Sequence, residues 1–306
     1  MKHVFIINPN TVKKSREKLV SDVEAACKRT GVDWEIYYTD APRAAEKHVR
    51  ELAQTGASLR FYACGGDGTL AEVANGAFGF PNVQAAAVPG GTGNDFVRNF
   101  APAEAFTDIV RQINGREARF DLIRANDRFA VNTINIGFDC AVVDYVERHR
   151  GRPLMKSSKA YTVAAFAEMF PMPKCELTMS YGGVTEKRRL TLCSVANGRY
   201  CGGGFKSNPR ALLDDGLLDV FRADEKVGRI GFLRLVGDYR KGTHMDNPKM
   251  KDKLDYFQTP ELTIGADKPF KYCADGEVMT ASELKISVVP AALRFVIPEG
   301  AALTSL

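Results

Sequence analysis

The feature that most constrains the fold is a glycine-rich turn within residues 64–75, which read CGGDGTLAEVAN. The turn follows a compact apolar run and leads into residues with helical spacing, so it predicts a strand that passes directly into a helix. Its glycines lack a Cβ, so the backbone could turn sharply and point N–H groups at phosphate oxygens. The helix dipole would favour an anion there, and Asp67 could hold a Mg²⁺ between phosphate oxygens. The alternative is a glycine-rich turn that binds no ligand.

Residues 1 to about 100 alternate strand-like and helix-like segments, which is typical of a parallel sheet covered by helices. We count four such units, with strands near residues 3–7, 34–38, 59–63 and 83–88. The second helix is expected from about Asp40 to a stop at Gly56. Ligands of open α/β sheets bind beyond the carboxyl ends of the strands. Asn8, Thr39 and two glycine-rich turns follow these strand ends, so we predict that four loops converge on one crevice.

From about Arg119 the pattern changes to short alternating strands with hairpin turns, which indicates a second, β-rich domain. Helical patches near residues 141–150 and 158–170 interrupt it. The last apolar strand, residues 293–297, follows Pro290 and is expected to return to the first domain. The predicted fold class is α/β plus β, with a Rossmann-like α/β domain and a β-sandwich domain. The predicted boundaries are 1–118 plus 291–306 for the first and 119–290 for the second, with the active site in a cleft between them.

Composition restricts the functional classes. The chain has 306 residues, 45% of them hydrophobic and 26% charged, and a net charge of +5, which suits an anionic substrate or membrane surface. Seven cysteines without a C-x-x-C pair suggest neither a disulfide framework nor a zinc site. The sequence contains no recognisable nucleic-acid-binding module and no apolar stretch of transmembrane length. We therefore expect a cytoplasmic protein, without a nucleic-acid partner, whose contact with a membrane would be peripheral.

A second glycine-rich turn, PGGTGND at residues 89–95, makes the first one more specific. Two Gly-Thr turns at adjacent strand ends suit the phosphates of a nucleoside triphosphate. Thr69 and Thr92 could bond phosphate oxygens, and Asn94 and Asp95 could hold the loop, a phosphate or a metal-bound water. Alternatively, the turn could simply cap the helix after it, with Asp95 as the N-cap residue.

Two acidic turns lie in the second half of the chain. Asp275 precedes Gly276, and its carboxylate could accept a proton from a hydroxyl group, with Glu277 orienting it or sharing a metal. Asp214-Asp215-Gly216 could bind a hard cation. Each could equally be a plain hairpin turn, because Asp-Gly is a strong turn dipeptide.

The motifs together resemble the catalytic domain of the diacylglycerol kinase family, which includes bacterial soluble lipid kinases and sphingosine and ceramide kinases. GGDGTLAEVANG and PGGTGNDFVR carry the likeness in the first half. In the second half it rests on residues 200–204 (YCGGG), 208–209 (NP), 212–220 (LLDDGLLDV) and 275–277 (DGE). GGDGT alone also occurs in phosphofructokinases and NAD kinases, so the other motifs select lipid kinase. The family's frequent YYGGG has Cys201 here in place of its second tyrosine.

The resemblance implies an ATP- and Mg²⁺-dependent kinase that phosphorylates a lipid hydroxyl. Carried over by motif, the ATP-binding residues would be Thr39, Gly65, Gly66, Asp67, Gly68, Thr69, Glu72, Gly91, Thr92, Asn94 and Asp95. Asp67 would act through Mg²⁺, and Asp275 and Glu277 would be catalytic. Asp215, with backbone carbonyls near Leu212 and Leu217, would hold a second, structural Mg²⁺. The lipid substrate implies peripheral contact with an anionic membrane at the inner face.

Two other functions remain open from the sequence, a non-catalytic nucleotide-responsive lipid-binding protein and an NAD kinase. The sequence names no particular lipid, so diacylglycerol, phosphatidylglycerol, a monoacylglycerol and a sphingoid base are all candidates. A homodimer is one assembly that it permits. Basic clusters near residues 148–159, 187–189 and 249–253 could contact an anionic leaflet or be ordinary solvated surface.

Overall fold

The computed structural model describes residues 1–10, 15–149, 151–152 and 160–305. Its helices and strands are, in chain order, β1 (Lys2–Ile7), α1 (Arg16–Thr30), β2 (Asp33–Tyr38), α2 (Ala44–Ala53), β3 (Leu59–Gly65), α3 (Asp67–Ala77), β4 (Val83–Pro89), β5 (Phe100–Ala101), α4 (Ile109–Ile113), β6 (Arg116–Ala125), β7 (Arg128–Ala130), β8 (Thr133–Gly137), α5 (Phe138–Arg148), α6 (Ala160–Met169), β9 (Cys175–Tyr181), β10 (Val184–Ala196), β11 (Leu218–Asp224), α7 (Gly228–Lys241), β12 (Leu254–Thr259), β13 (Glu261–Ala274), β14 (Glu277–Ile297) and β15 (Ala302–Leu303). Within the described ranges, no helix is both long enough and apolar enough to cross a bilayer.

The first of two compact units comprises Met1–Leu122 and Pro290–Leu306. Its main sheet has the order β2-β1-β3-β4-β14, and these neighbours pair in parallel. β3 is buried along its whole length, as expected of an apolar strand covered on both faces. The core includes Phe5 and Tyr62 of the sheet and Val23 of α1. The prediction of an α/β domain with a parallel sheet is therefore confirmed.

A cluster of phenylalanines explains why the end of the chain belongs to the first unit. The rings of Phe96 and Phe295 lie 5.0 Å apart between centroids, and those of Phe100 and Phe120 lie 5.7 Å apart. All four side chains are fully or almost fully buried. Because Phe120 packs into this cluster, residues 119–122 belong to the first unit, although the sequence pattern assigned them to the second.

The second unit, Ile123–Val289, is built mainly of antiparallel strands in the order β12-β11-β10-β8-β13-β14. β9 pairs with both β10 and β13. Buried side chains such as Ile136, Val195 and Leu262 form its β core. A separate apolar cluster packs beside it and includes Phe138 of α5 and Phe232 of α7.

Three local features differ from the sequence-based expectations. α2 begins at Ala44 rather than near residue 40, because Arg43 has a left-handed conformation with φ of 65°. The helix expected after PGGTGND is a single 3-10 turn, Phe96–Asn99. β14 continues through Pro290 as one strand, with φ of 52° at Ala291, where two separate strands were expected.

Candidate active site

The first unit brings the carboxyl ends of its parallel strands to one edge of the sheet. Ile7, at the end of β1, is in register with Tyr38 of β2 and Cys64 of β3. Gly65, the last residue of β3, is in register with Pro89 of β4. The turns that follow these strands therefore lie side by side. The structure places them where ligands bind in open α/β sheets, as the sequence predicts.

The two glycine-rich turns are in direct backbone contact. The N–H of Gly90 donates to the carbonyl oxygen of Gly65 at 2.8 Å. A Cβ added to Gly91 would lie only 2.5 Å from the Cα of Gly66, so no other residue fits at position 91 without a backbone shift. Glycine is required here because two backbones approach each other, and the approach joins the two turns into one surface.

Asn94 fixes the shape of the second turn. Its backbone has φ of 51°, a left-handed conformation that asparagine tolerates better than most residues. Its side-chain oxygen accepts the N–H of Gly91 at 3.1 Å, and its side-chain nitrogen donates to the Gly91 carbonyl at 2.8 Å. The amide side chain therefore holds Gly91 by both of its backbone groups.

Two carboxylates meet beside Gly93. A Cβ on Gly93 would lie 2.8 Å from Oδ2 of Asp67 and 3.3 Å from Oδ2 of Asp95. The other oxygen of Asp67 accepts the N–H of Phe96 at 3.2 Å. Asp95 is buried and forms an ion pair with Arg98 at 3.4 Å, and its side chain makes no N-cap hydrogen bond. The cap that the sequence suggested for Asp95 is instead supplied by Asp67.

Glu72 has a structural task that the sequence did not reveal. Its carboxylate accepts the N–H of Arg43 at 3.0 Å and the N–H of Ala45 at 3.1 Å. N–H groups at the start of a helix have no acceptor within the helix, and Glu72 supplies one for α2. The helix dipole also favours a negative charge at this end. Thr39, a few residues earlier, is half-buried and donates its N–H to the carbonyl oxygen of Ile7 at 3.0 Å.

The remaining candidates in the glycine turns have different surroundings. Thr69 is buried, and its N–H donates to the carbonyl oxygen of Gly66 at 3.0 Å, so it stabilises the turn. Thr92 is exposed. A Cβ on Gly68 would meet nothing within 4 Å. Thr92 and Gly68 therefore have room for a ligand beside them, whereas the Thr69 side chain does not.

In the second unit, the carboxylate of Asp275 is held by a cradle of backbone N–H groups. Oδ2 accepts the N–H of Val131 at 2.5 Å, and Oδ1 accepts those of Asn132 and Thr133, each at 3.0 Å. The N–H of Asp275 donates in turn to the carbonyl of Thr133 at 3.0 Å. Asp275 is 8% exposed and has φ of 46°. These bonds fix the orientation of the carboxylate. From the sequence alone, Asp275 could equally have belonged to a hairpin turn without a function.

Glu277 lies in a different environment. Its side chain is half exposed and forms an ion pair with Arg128 at 3.5 Å between Nη2 and Oε2. A half-exposed glutamate in an ion pair is less constrained in its orientation than the buried carboxylate of Asp275, which three backbone N–H groups hold. Of the two predicted catalytic acids, Asp275 is therefore the one whose position the fold defines.

Several buried polar residues that hold these segments together were not identified from the sequence. Asn132 donates its side-chain N–H to the carbonyl of Tyr200 at 2.6 Å, which links the cradle to the YCGGG segment. Asn197, fully buried, donates to the carbonyl of Val131 at 3.2 Å. In the first unit, buried Asp121 accepts the N–H of Ala291 at 2.7 Å. The available signal was a polar residue inside an otherwise apolar run.

Cys201, at the position where the family often has tyrosine, joins a buried polar cluster. Its thiol lies 3.8 Å from a carboxylate oxygen of Asp139, which also accepts the hydroxyl of Tyr239 at 2.8 Å. Burial raises the pKa of Asp139 from 3.8 to about 6, although the hydrogen bonds from Tyr239 and Cys201 act in the opposite direction. The carboxyl group thus titrates closer to neutral pH than an exposed aspartate.

Beside Asp215, the acidic residue of the predicted metal site, the structure places a second acidic residue, Asp219. Asp215 accepts the N–H of Leu217 at 3.0 Å and the side-chain N–H of Gln258 at 3.3 Å. Asp219 accepts Gln258 as well, while its Oδ2 is buried and accepts no hydrogen bond from the described part of the chain. Burial, opposed by the hydrogen bond from Tyr256 and assisted by the charge of Asp215, raises the pKa of Asp219 to about 6.

The donor set at Asp215 suits a hard cation that prefers oxygen ligands. A buried carboxylate oxygen beside a second carboxylate is the kind of environment that a positive charge stabilises. Leu212 is exposed and Leu217 is half-buried, so both lie on an accessible segment. Among the described residues, no group of three or more His, Cys, Asp or Glu side chains could hold a metal ion. The assignment of Asp215, Leu212 and Leu217 remains a prediction.

The first unit is an α/β unit with paired glycine turns, and the second is an antiparallel unit with a cradled aspartate. This combination is typical of the class of kinases that have an α/β domain and a β-sandwich domain. Residues 2–125 match the diacylglycerol kinase catalytic domain, and residues 132–297 match the YegS C-terminal NAD kinase beta sandwich-like domain. The chain belongs to the YegS family of lipid kinases, whose catalytic domain is that of the diacylglycerol kinases.

Individual relatives agree with this assignment. The chain is 29% identical over 286 residues to a protein named probable lipid kinase YegS-like from Stenotrophomonas maltophilia (strain K279a), covering 88% of each chain. A protein of the same name from Xanthomonas euvesicatoria pv. vesicatoria (strain 85-10) is 28% identical over 289 residues, covering 89% of each. A crystal structure of a diacylglycerol kinase from Bacillus anthracis str. Sterne has a TM-score of 0.68 at 19% identity, covers 97% of each chain and shows the same fold. The predicted family, fold class and enzyme class are confirmed.

Proposed function

We propose that the protein transfers the γ-phosphate of ATP, with Mg²⁺, to the hydroxyl group of a diacylglycerol-like lipid. The observation that carries the proposal is the contact between Gly66 and Gly91, which joins two glycine turns at the sheet edge. Together with Thr92 and the start of α3, the turns offer backbone N–H groups and a helix N-terminus to a chain of phosphates. Two such turns suit a triphosphate better than a single phosphate.

Asp67 and Asp95 fit a Mg²⁺ beside the phosphates, because both present carboxylate oxygens near Gly93. When bound, Mg²⁺ neutralises charge that develops on the phosphate oxygens during transfer. Asp67 is the stronger candidate for holding it, since its second oxygen is fixed by the N–H of Phe96. The role of Glu72 is indirect, because its carboxylate holds the start of α2 and thereby the segment that follows Thr39.

Asp275 accepts the proton in the proposed reaction. The lipid hydroxyl oxygen forms a bond to the γ-phosphorus, the bond from that phosphorus to the bridging oxygen of ADP breaks, and the hydroxyl proton passes to the carboxylate of Asp275. Oδ2 accepts the N–H of Val131, and this bond defines the orientation of the proposed proton acceptor. Glu277 assists by its charge.

Asp215, with the carbonyl oxygens of Leu212 and Leu217, would hold a structural Mg²⁺. Its contribution would be to stabilise the turn between the YCGGG segment and β11 rather than to take part in transfer. The buried Oδ2 of Asp219 supports a positive charge nearby.

Peripheral action at the inner face of an anionic membrane is part of the proposal, because the acceptor is a lipid. The test is incubation of the purified protein with γ-labelled ATP and mixed micelles that contain one lipid alcohol at a time. Diacylglycerol, a monoacylglycerol, phosphatidylglycerol and a sphingoid base form the panel, and NAD is the soluble alternative acceptor. We expect labelled lipid phosphate that requires Mg²⁺ and falls to background in Asp275→Asn.

Two outcomes would contradict the proposal. Label in NAD with none in any lipid would make the protein an NAD kinase. Binding of lipid vesicles that responds to ATP, without label in any acceptor, would make it a nucleotide-responsive lipid-binding protein.

A further inference from the structure

Two helices of the second unit expose large apolar side chains. Phe166 of α6 and Phe170, just after it, are 58% and 76% exposed. Ile230 and Leu233 of α7 are 67% and 50% exposed. The guanidinium group of Arg229 donates to the carbonyl of Phe170, which ties the start of α7 to the end of α6. The four apolar side chains therefore belong to neighbouring segments of one surface.

A basic groove of about 1060 Å³ adjoins these segments. Its lining includes six cationic side chains and no acidic one within the described residues; the cations are Lys174, Arg189, Arg229, Arg234, Lys249 and Lys253. Glu225 forms ion pairs with the first two, at 3.3 and 3.4 Å. The other four have no ion pair with a described aspartate or glutamate. The groove thus carries an excess of positive charge over the acidic side chains that pair with it in the described part of the chain.

The composition of α7 separates into two faces. The buried face contains Phe232, Leu235 and Tyr239, which pack into an apolar cluster of the second unit. The exposed positions carry only basic, apolar or glycine residues, namely Arg229, Ile230, Leu233, Arg234, Gly237, Arg240 and Lys241. Water is a poor environment for exposed isoleucine and leucine, and an ordinary solvated face would contain acidic residues as well. A helix that lies in a bilayer interface has this mixture of apolar and basic residues.

We propose that Phe166, Phe170, Ile230 and Leu233, with the cations of the adjoining groove, form a docking surface for an anionic lipid bilayer. The apolar side chains would enter the boundary between headgroups and acyl chains, and the cations would contact lipid phosphates. This inference rests on the proposed function, because a kinase for a lipid alcohol has to meet its substrate at a membrane. Of the basic clusters noted in the sequence, Arg189, Lys249 and Lys253 belong to this surface, whereas residues 150, 156 and 159 lie outside the described residues.

The test is co-sedimentation of the full chain with phosphatidylcholine vesicles that contain or lack phosphatidylglycerol. We expect binding only to the anionic vesicles, and weaker binding at about 0.5 M salt than at about 0.05 M because screening shortens the range of the attraction. Arg234→Glu with Lys249→Glu should lower the partition coefficient at least about tenfold. The matched control, Lys28→Glu with Lys268→Glu, changes the charge equally at exposed positions elsewhere and should bind as the wild type does.

The apolar contribution is tested separately. Ile230→Ser with Leu233→Ser should also lower binding at least about tenfold, whereas Val184→Ser with Leu303→Ser, which removes two exposed apolar side chains elsewhere, should not. Leu233→Trp should show a blue shift of tryptophan emission on addition of anionic vesicles, and Val184→Trp should show none. Equal binding by the surface variants and their controls would overturn the docking surface, as would a wild type that does not bind anionic vesicles at low salt.

A second measurement separates this inference from the proposed function. Phosphorylation of a water-soluble short-chain diacylglycerol needs no vesicle, so the surface variants should retain wild-type rates on it. If the wild type does not phosphorylate this lipid, the proposed function is contradicted, and the vesicle results can still be interpreted. A change of oligomeric state in Ile230→Ser with Leu233→Ser, without a change in vesicle binding, would instead make the surface an interface between protein chains and overturn the proposal.

Discussion

Gly66 and Gly91 lie so close that a Cβ at position 91 would be 2.5 Å from the Cα of Gly66. The two residues come from turns at the ends of β3 and β4, so the contact joins two phosphate-binding candidates that are separate in the sequence. A displacement of one turn must then displace the other. The nucleotide site of this lipid kinase should therefore be sensitive to a single added methyl group.

Gly91→Ala places that methyl group against the backbone of Gly66. We expect a loss of about 1–3 kcal/mol in the free energy of unfolding, because overpacking forces the backbone to move. We also expect kcat/KM for ATP to fall by about 100-fold, since displacement of a positioning loop by about 1 Å has that effect. Urea unfolding and steady-state kinetics measure the two quantities. The control for stability is Gly68→Ala, where nothing lies within 4 Å of the added Cβ, and the free energy of unfolding should be unchanged or higher.

Asp67→Asn removes the charge and retains an oxygen that can accept the N–H of Phe96. The free energy of unfolding should therefore change by no more than about 1 kcal/mol. Turnover should fall at least about 100-fold, because the carboxylate that would hold Mg²⁺ beside the phosphates is lost. Asp67→Ala should lose turnover to a similar extent and remain folded. Near-normal turnover in either variant would exclude Asp67 from the reaction.

Glu72→Ala removes the acceptor of two N–H groups at the start of α2. The expected loss is about 1–2 kcal/mol in the free energy of unfolding, as for loss of a helix N-cap. Glu72→Gln keeps one acceptor oxygen and should lose about half as much. Glu51→Ala is the matched control because Glu51 lies on α2 itself, where its exposed ion pair with Lys47 at 3.8 Å contributes little. Equal stability of the alanine variants at 72 and 51 would refute the structural role of Glu72.

The buried carboxyl group of Asp139 should make the free energy of unfolding depend on pH. Burial raises its pKa from 3.8 to about 6 in the folded protein. Between these values the folded state binds more protons than the unfolded state, so the contribution of Asp139 to stability decreases as pH rises from about 4 to about 6 and stays low above that. Asp139→Asn should remove this loss and raise the free energy of unfolding at pH 7 by about 1–3 kcal/mol relative to the wild type.

The measurement for Asp139 is urea unfolding at intervals between about pH 4 and pH 8, with Asp127→Asn at an exposed turn as the control. The difference between Asp139→Asn and the wild type should grow with pH over the lower half of this range. A difference that is constant with pH would show that the carboxyl group of Asp139 does not titrate in this window.

The sequence predicts the strand ends well because alternating apolar runs and glycine turns are local patterns. The common edge that holds Thr39, Asp67 and Thr92 follows from those patterns and the rules of parallel sheets. The turn at Asp275 was also located, since Asp-Gly is a local signal. These parts of the fold need no knowledge of distant residues.

Long-range contacts account for what the sequence did not reveal. The cradle for Asp275 is made of backbone N–H groups about 140 residues earlier, and a backbone donor leaves no mark in the sequence. The assignment of Glu72 to ATP came from the resemblance, and the sequence did not reveal its bonds to Arg43 and Ala45 because they join two helices. Phe120 fixes the boundary between the units by packing on Phe295, a pairing that no local pattern indicates.

The most direct test of the account is the transfer of label from γ-labelled ATP to diacylglycerol by the wild type and by Asp275→Asn. An amide at position 275 would set an NH₂ group against a backbone N–H, with a loss of about 1–3 kcal/mol, so folding of the variant is checked first by circular dichroism. The account predicts Mg²⁺-dependent labelled lipid phosphate from the wild type and a rate about 10²–10⁴-fold lower from the folded variant. Equal rates from the two proteins, or no labelled lipid from the wild type, would contradict it.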